Sequence, residues 1–309
     1  MNVLNTCHDD LVRVFYKLPD RNNKGRMGRV LCVCGSYDPS GVSMCGAAYF
    51  SASAAYRCGA GVVEIFTERN NYSSLCASVP EAVFSLYGYD ENADEVSERL
   101  RSAISHTDAI ILGCGIGRSA LSARLVETVL KCSHVPTVID ADALNIISEN
   151  RDLRQLMADK IVIITPHPVE ASRLSGKSAE KILSDTLTAA RELANDLSVV
   201  CLLKDHHTVI SDGKTAYVNH SGNAGMASAG MGDVLAGIIG ALAAKYQSDI
   251  SHSATAEWHG KTDNAMTYLA AVGAYLHGLC GDEAAGRVGQ YSLVASDVFE
   301  SIKGVLKKI

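Results

Sequence analysis

The chain carries no excess of positive charge: 28 Lys and Arg stand against 34 Asp and Glu, a formal net charge of -6 at pH 7. A broad nucleic-acid surface needs a basic excess to neutralise phosphates, so no nucleic-acid partner is expected. There is also no uninterrupted apolar run of the roughly 18 residues that a membrane span requires, so no membrane association is expected. Asp9, Asp10 and Arg13 break the leading region where a secretory signal would need an apolar stretch, and no such signal is expected. Cysteine is present, but a cysteine pattern is not. The residues at 7, 32, 34, 45, 58, 76, 114, 132, 201 and 280 are irregularly spaced, and the one close pair, Cys32 and Cys34, sits in an apolar run without metal-ligand companions. They read as small buried side chains in a reducing compartment, not as a disulfide or zinc framework. Internal repeats and linkers rich in Pro, Gly or Ser are absent as well. What remains is a 309-residue chain, 47% hydrophobic and 20% charged, the make-up of a globular protein with a large core. A cytoplasmic enzyme is expected.

Short β-branched runs alternate with helix-length segments. Strands are expected at 29–34, 62–67, 109–112, 137–140, 161–164 and 199–203, with helices over 46–57, 121–131, 179–196 and 267–280. A hairpin is expected at 208–210 and 215–218, turning at Asp212-Gly213. Continuous apolar strands separated by helices mean a mostly parallel sheet covered on both faces. In such sheets the ligand crevice lies beyond the carboxyl ends of the strands, which aims Gly35, Gly113, Asp140, His167 and Lys204 at one rim. A single domain over 1–309 is expected. The polar stretch 247–264, poor in aliphatic residues, reads as a surface insertion.

The most informative segment is Ser221-Gly222-Asn223-Ala224-Gly225-Met226-Ala227-Ser228-Ala229-Gly230-Met231-Gly232-Asp233, followed at once by an apolar run. Glycines let the backbone approach a ligand closely, and a helix opening there would aim free N–H groups at an anion, usually phosphate. A carboxylate beside phosphate is repelled by it unless it handles a proton or a metal ion, so Asp233 points to phosphoryl chemistry on a hydroxyl. In Thr165-Pro166-His167-Pro168-Val169-Glu170 the prolines hold His167 at a strand end, as a ligand contact, as the opening of the next helix, or as both. Glu170 reads as a helix-dipole partner. Gly113-Cys114-Gly115-Ile116-Gly117 permits close backbone approach, but Arg118 stands where a dinucleotide fingerprint would need its next glycine. In Asp140-Ala141-Asp142-Ala143-Leu144-Asn145, Asp142 reads as a helix cap, while Asp140 and Asn145 could reach the rim and hold a substrate group or a metal-bound water. Lys204 follows a buried strand and must emerge into a site or pair. The adjacent His206 and His207 do not by themselves make a metal site, because neighbours on a strand face opposite ways.

Together these motifs resemble the ADP/ATP-dependent NAD(P)H-hydrate dehydratase family, a branch of the ribokinase-like superfamily. The resemblance runs from Lys24-Gly25, Gly28 and Gly35-Ser36 through Gly46-Ala47-Ala48, Arg57, Gly59 and Gly61. It continues through Gly113–Gly117, Val138–Asn145, Thr165–Glu170, Leu203–Thr208, Asn223–Gly237 and Tyr275-Leu276-His277-Gly278. It implies a ribokinase-like three-layer α/β/α sandwich without a separate lid domain. It implies a reaction that restores NADH or NADPH from a 6-hydroxy hydrate at the expense of ADP or ATP. Asp233 would be the catalytic base. Ala47, Gly115, Gly117, Asn145, His167 and Asp233 would contact the hydrate. Lys204, Asp205, His206, His207, Thr208, Asn223, Gly230 and Gly232 would bind the nucleotide. Mg²⁺ would bridge phosphates mostly through water, with no protein metal-ligand set. A homo-oligomer is implied, with a tetramer as one form.

Three residues depart from the family pattern. Asp205 and Val169 stand where glycines are expected, and Cys114, in the loop on the substrate side, is a candidate reactive thiol. About 24 leading residues are too few for the epimerase domain often fused in this family, so a separate epimerase is expected. Two other readings remain open: a small-molecule kinase of the same superfamily, and a non-catalytic nucleotide-binding protein.

Overall fold

The computed structural model describes residues 2–15, 18, 20, 22–252 and 264–309. Ten strands lie in one sheet: β1 (Asn2–Asn5), β2 (Arg29–Val33), β3 (Val62–Glu68), β4 (Val83–Tyr87), β5 (Ala109–Leu112), β6 (Thr137–Ile139), β7 (Val162–Ile164), β8 (Val200–Leu203), β9 (Thr208–Ser211) and β10 (Thr215–Asn219). Their order across the sheet is β1-β10-β9-β8-β7-β6-β5-β2-β3-β4. Only β9 runs against its neighbours. It belongs to the expected hairpin, whose turn is closed by Asp212 Oδ1 accepting from the Lys214 and Thr215 amides.

Alternation along the central strands divides the interior. In β2, Val30 and Cys32 join one buried cluster while Leu31 and Val33 join another. In β5, Ala109 and Ile111 part from Ile110 and Leu112 in the same way. Each such aliphatic side chain, taken fully out of water, contributes about 1.5–3 kcal/mol. The first cluster is completed by the helices Cys45–Arg57, Met231–Ser251, Ala265–Val288 and Ala295–Leu306. The second is completed by Ala93–Ile104, Ala120–Cys132, Asp142–Glu149, Pro168–Ser175 and Thr186–Leu197. This is the expected three-layer α/β/α sandwich around a mostly parallel sheet.

The helix Met231–Ser251 carries buried residues on nearly every side. Two glycines let it sit that deep. A Cβ on Gly237 would lie 2.4 Å from the Ser51 carbonyl oxygen, and one on Gly240 would lie 2.6 Å from Ile111 Cγ1. Its amino end is thereby fixed above the carboxyl ends of the strands.

Three sequence expectations change. The helix expected over 179–196 is two, Ala179–Ser184 and Thr186–Leu197. Asp185 breaks it by leaving helical dihedrals and accepting a hydrogen bond from the Thr188 amide. Of the stretch read as a surface insertion, 247–251 continue the Met231–Ser251 helix, with Ser248 and Asp249 buried; 253–263 lie outside the described residues. Strands β1 and β4 were not expected: both are edge strands, and an edge lacks the continuous apolar run that marks a central strand.

Candidate active site

The chain reverses its direction of travel across the sheet between β2 and β5, the switch point where a crevice opens. Five adjacent strands end there. In spatial order, β8 leads to Lys204, β7 to His167, β6 to Asp140, β5 to Gly113 and β2 to Gly35. Cross-strand bonds hold these ends together: Lys204 N–H to Pro166 O at 2.8 Å, Asp140 N–H to Leu112 O at 3.0 Å and Gly35 N–H to Cys114 O at 2.8 Å. The five residues that strand-end reasoning aimed at one rim do share it.

The Met231–Ser251 helix meets this rim with its amino end. Gly230, at φ 89°, is the residue before the helix, and no side chain caps it. The first amides of a helix have no partner inside it, so this turn directs free donors at the rim. Gly232 abuts the Lys204–Asp140 pair: its hypothetical Cβ would lie 3.1 Å from Asp140 Oδ2 and 3.3 Å from Lys204 Nζ. Lys204 Nζ donates to Asp140 Oδ1 at 2.7 Å, and Asp140 is buried. The buried carboxylate keeps a cation beside the helix end.

Asp233 follows on the first turn. Burial, then the Asp140 charge, push its carboxyl up to about 6, against the lowering effect of a hydrogen bond with Cys114 and of Lys204. A carboxylate tuned toward neutrality in this way is a better proton acceptor than an ordinary one. Cys114 is fully buried, and contact with the Cys34 thiol together with burial holds its own thiol well above the usual range. The reactive-thiol expectation for Cys114 is therefore corrected: it stays protonated and shielded, as a neighbour of Asp233.

The Gly113–Gly117 loop flanks Asp233 on the other side. Gly113, at φ 116°, comes so close to β6 that a Cβ would stand 2.0 Å from the Asp140 carbonyl oxygen. Gly115 lies against Ala47 and Met44, with hypothetical Cβ distances of 2.8 and 2.9 Å. Gly117 donates its N–H to Asp142 Oδ2 at 2.9 Å. That bond corrects the cap expectation for Asp142: it is the first helical residue, Ala141 holds the cap position, and the carboxylate ties down the loop. Ala141 has φ 52° and ψ -119°, a sparsely populated conformation for a non-glycine residue, wedged between the two aspartates. Asn145, in the same helix, binds Ala141 O and accepts from Arg173.

His167 is an N-cap. Its Nδ1 accepts from the Val169 and Glu170 amides while Glu170 accepts from the His167 amide, a reciprocal capping box with Pro168 at the first helical position. Because Nδ1 accepts, Nε2 carries the proton, and burial with nearby Lys204 lowers the pKa of the ring. Buried Glu170 is pushed up to about 7 by burial, with Lys204 and Asp140 acting in opposite directions.

A cavity of about 660 Å³ opens beside the helix end. His167, Lys204, Asp205, His206, Thr208, Asn223 and Gly232 line it, bringing together most of the residues expected to meet nucleotide. His207 and Gly230 are not in its lining: the His207 ring packs against His206 at 4.2 Å and His220 at 4.5 Å, and Gly230 lies against Ala295 and the Phe50 ring. Ala47, Gly115, Gly117 and Asn145 lie outside it, and so does Asp233, which follows the lining residue Gly232 and meets Cys114 of the glycine loop. Sequence reasoning assigned no role to Asn219, Ser221, Leu235, Ala274 and His277 in the same wall. Ser221, Leu235 and His277 fall in motifs already singled out, while Asn219 and Ala274 carried no signal. Among the described residues no group of three or more His, Cys, Asp or Glu could hold a metal ion.

A family model described as NAD(P)H-hydrate dehydratase matches residues 30–303. The chain is 37% identical over 307 residues to the bifunctional NAD(P)H-hydrate repair enzyme of Moorella thermoacetica, covering 95% of this chain and 52% of that one. It thus spans about half the length of the bifunctional relatives it matches. It is 33% identical over 268 residues to the ADP-dependent (S)-NAD(P)H-hydrate dehydratase of Neisseria meningitidis, covering 85% of each. A similar solved structure is the ADP/ATP-dependent NAD(P)H-hydrate dehydratase of Bacillus subtilis, co-crystallised with ATP and Mg²⁺. Its TM-score is 0.74 at 26% identity, over 100% of this chain and 99% of that one.

Proposed function

The chain belongs to the NAD(P)H-hydrate dehydratase family, and on that premise we propose that it uses ADP, or ATP, to dehydrate the 6-hydroxy hydrate of NADH or NADPH. The observation that carries this reading is Asp233. It is a carboxylate raised to about 6, on the first turn of the helix whose amino end meets a cavity of about 660 Å³. Hydroxide leaves a carbon poorly, so the hydroxyl must first be made into a better leaving group. Asp233 takes the proton of the C6 hydroxyl as the oxygen attacks the terminal phosphorus of the nucleotide, releasing AMP from ADP. The amides of the Gly230–Gly232 turn receive the charge that develops on the phosphoryl oxygens, and Lys204, held by Asp140, neutralises it further. The ring nitrogen then expels phosphate from C6, and loss of a proton from C5 restores the dihydronicotinamide. Magnesium, when bound, supplies neutralisation of the phosphate charge; Asp140 is the residue that would face it.

Ala47, Gly115 and Gly117 form the wall for the hydrate ring, with neutral His167 beside it, its Nε2 held 3.3 Å from Glu170 Oε1. Asn145 serves this wall indirectly, through Ala141 and Arg173. Lys204, Asp205, His206, Thr208, Asn223 and Gly232 hold the nucleotide, with Gly230 opening the helix whose amides face it. ADP is the proposed donor, in line with the name of the Neisseria relative. A separate epimerase would supply the wrong-handed hydrate in usable form. Assembly into a homo-oligomer is part of the proposal, and Val288, Tyr291 and Val294, exposed at and beyond the carboxyl end of the Ala265–Val288 helix, are apolar side chains that it would cover. No helix among the described residues is long and apolar enough to cross a membrane; residence in the cytoplasm is part of the proposal.

The test is an absorbance assay at the reduced-nicotinamide band, with NADH hydrate and either ADP or ATP. Recovery of absorbance together with release of phosphate supports the reading. No recovery with either nucleotide refutes it, and a stable phosphorylated product would mark a kinase instead.

A further inference from the structure

The segment 221–228 supplies one wall of the nucleotide cavity. It lies in no strand, and its one helical turn is the three-residue Ala224–Met226. A segment of this kind keeps a single shape only where firmer elements hold it. The Ala265–Val288 helix does so with Gly278, Gly281 and Asp282, which share one face at spacing i, i+3, i+4. A Cβ on Gly278 would collide with Ser221, and one on Gly281 would collide with the Met226 side chain, so the two glycines let the segment rest directly on the helix. Ser221 Oγ donates to Tyr275 O at 3.0 Å and fixes the start of the segment there.

Asp282 then takes hold of it from outside. Its Oδ2 accepts from the Gly222 amide at 2.9 Å, and its Oδ1 accepts from Asn223 Nδ2 at 2.9 Å. Asn223 Oδ1 in turn accepts from the Gly225 amide at 3.1 Å. A backbone amide only donates and a carboxylate only accepts, so Asn223 must turn its oxygen to Gly225 and its nitrogen to Asp282. Hydrogen bonds to a carboxylate are also stronger than those between neutral groups. Gly222 and Asn223 line the cavity, and Asp282 does not. Its hold on the nucleotide wall is therefore made through those two residues.

We propose that Asp282 is a positioning residue for nucleotide binding: through the Gly222 amide and the Asn223 side chain it keeps the segment 221–228 in the shape that receives the nucleotide. This rests on the reading of the cavity as the nucleotide site. Asp282 takes no part in the transfer, and the Asn223 side chain contributes by fixing the wall to which it belongs.

Calorimetric titration with ADP tests it on the wild-type chain, on Asp282→Asn, on Asn223→Asp and on the two substitutions together. Asp282→Asn puts an NH₂ group where a second acceptor is needed, and Asn223→Asp sets carboxylate against carboxylate. The double exchange restores every bond: the amide oxygen at 282 accepts from Gly222, its NH₂ donates to the carboxylate at 223, and that carboxylate still accepts from Gly225. Each single variant should bind ADP about tenfold more weakly than wild type, and the double exchange within about threefold of it. In Asp282→Asn the loss should appear in the KM for ADP more than in kcat. Wild-type affinity in the single variants overturns the proposal, as does a folded double exchange that binds as weakly as either single. Should the single variants fail to fold, hydrogen exchange on the wild-type chain decides. ADP binds the held segment, so it should slow exchange of the Gly222 amide; exchange there that ADP leaves unchanged overturns the proposal. A wild-type chain that binds neither ADP nor ATP sinks the nucleotide reading and this inference with it, whereas tight binding in wild type and variants alike sinks the inference alone.

Discussion

Asp233 makes the sharpest test, because its raised pKa and its proposed role predict the same pH dependence. A base works only when ionised. With a pKa of about 6, Asp233 is about 90% ionised at pH 7 and about 9% ionised at pH 5, so the rate should fall about tenfold across that interval. An Asp at the ordinary value of ~3.9 would stay more than ~90% ionised at pH 5 and give a flat profile. The assay is initial-rate recovery of dihydronicotinamide absorbance at saturating nucleotide, from pH 5 to pH 8. Glu170, pushed to about 7, titrates in the same window, so the profile should be repeated on Glu170→Gln, which preserves the acceptor for the His167 amide. The acid limb near 6 should remain there. Asp233→Asn should lower the rate by about 100- to 10,000-fold while ADP still binds. A flat profile in both chains, or an Asp233→Asn rate within about tenfold of wild type, would refute the base assignment.

Gly232→Ala should place a methyl 3.1 Å from Asp140 Oδ2 and 3.3 Å from Lys204 Nζ. ADP affinity by calorimetry should drop about tenfold or more, with only a small change in melting temperature. Lys204→Met strips the cation from buried Asp140. Urea unfolding should register a loss of about 2–4 kcal/mol, somewhat under the range for a fully buried pair because Lys204 is partly exposed; adding Asp140→Asn should restore part of it. Alkylation of the folded chain followed by peptide mass mapping should modify Cys7, which is exposed, and spare Cys34 and Cys114, which are buried. Rapid labelling of Cys114 would contradict its placement behind Asp233.

Much of this was readable from the chain. Local rules sufficed for the strands whose apolar runs are continuous, since a strand buried on both faces leaves no other pattern. Strand ends at Gly35, Gly113, Asp140, His167 and Lys204 announced their rim, because a parallel sheet puts all its carboxyl ends on one side. The glycines before Asp233 pointed to a helix opening there, and Met231–Ser251 does open there. Edge strands β1 and β4 escaped, because half-exposed strands carry a weak apolar signal.

What the fold alone decided are matters of proximity. Asp142 can cap a helix in any sequence; only the approach of the Gly113–Gly117 loop gives its carboxylate the Gly117 amide. Cys114 looks reactive until Cys34 and two layers of packing enclose it. The raised pKa of Asp233 comes first from the burial imposed by a helix that two glycines let sink into the core, and then from Asp140, 93 residues away in the chain. Residue types and their periodicity determined the layers and the chemistry on offer. Desolvation and charge coupling act through space, so which carboxylate holds a cation, which holds a loop and which is left to take a proton was determined by the tertiary structure.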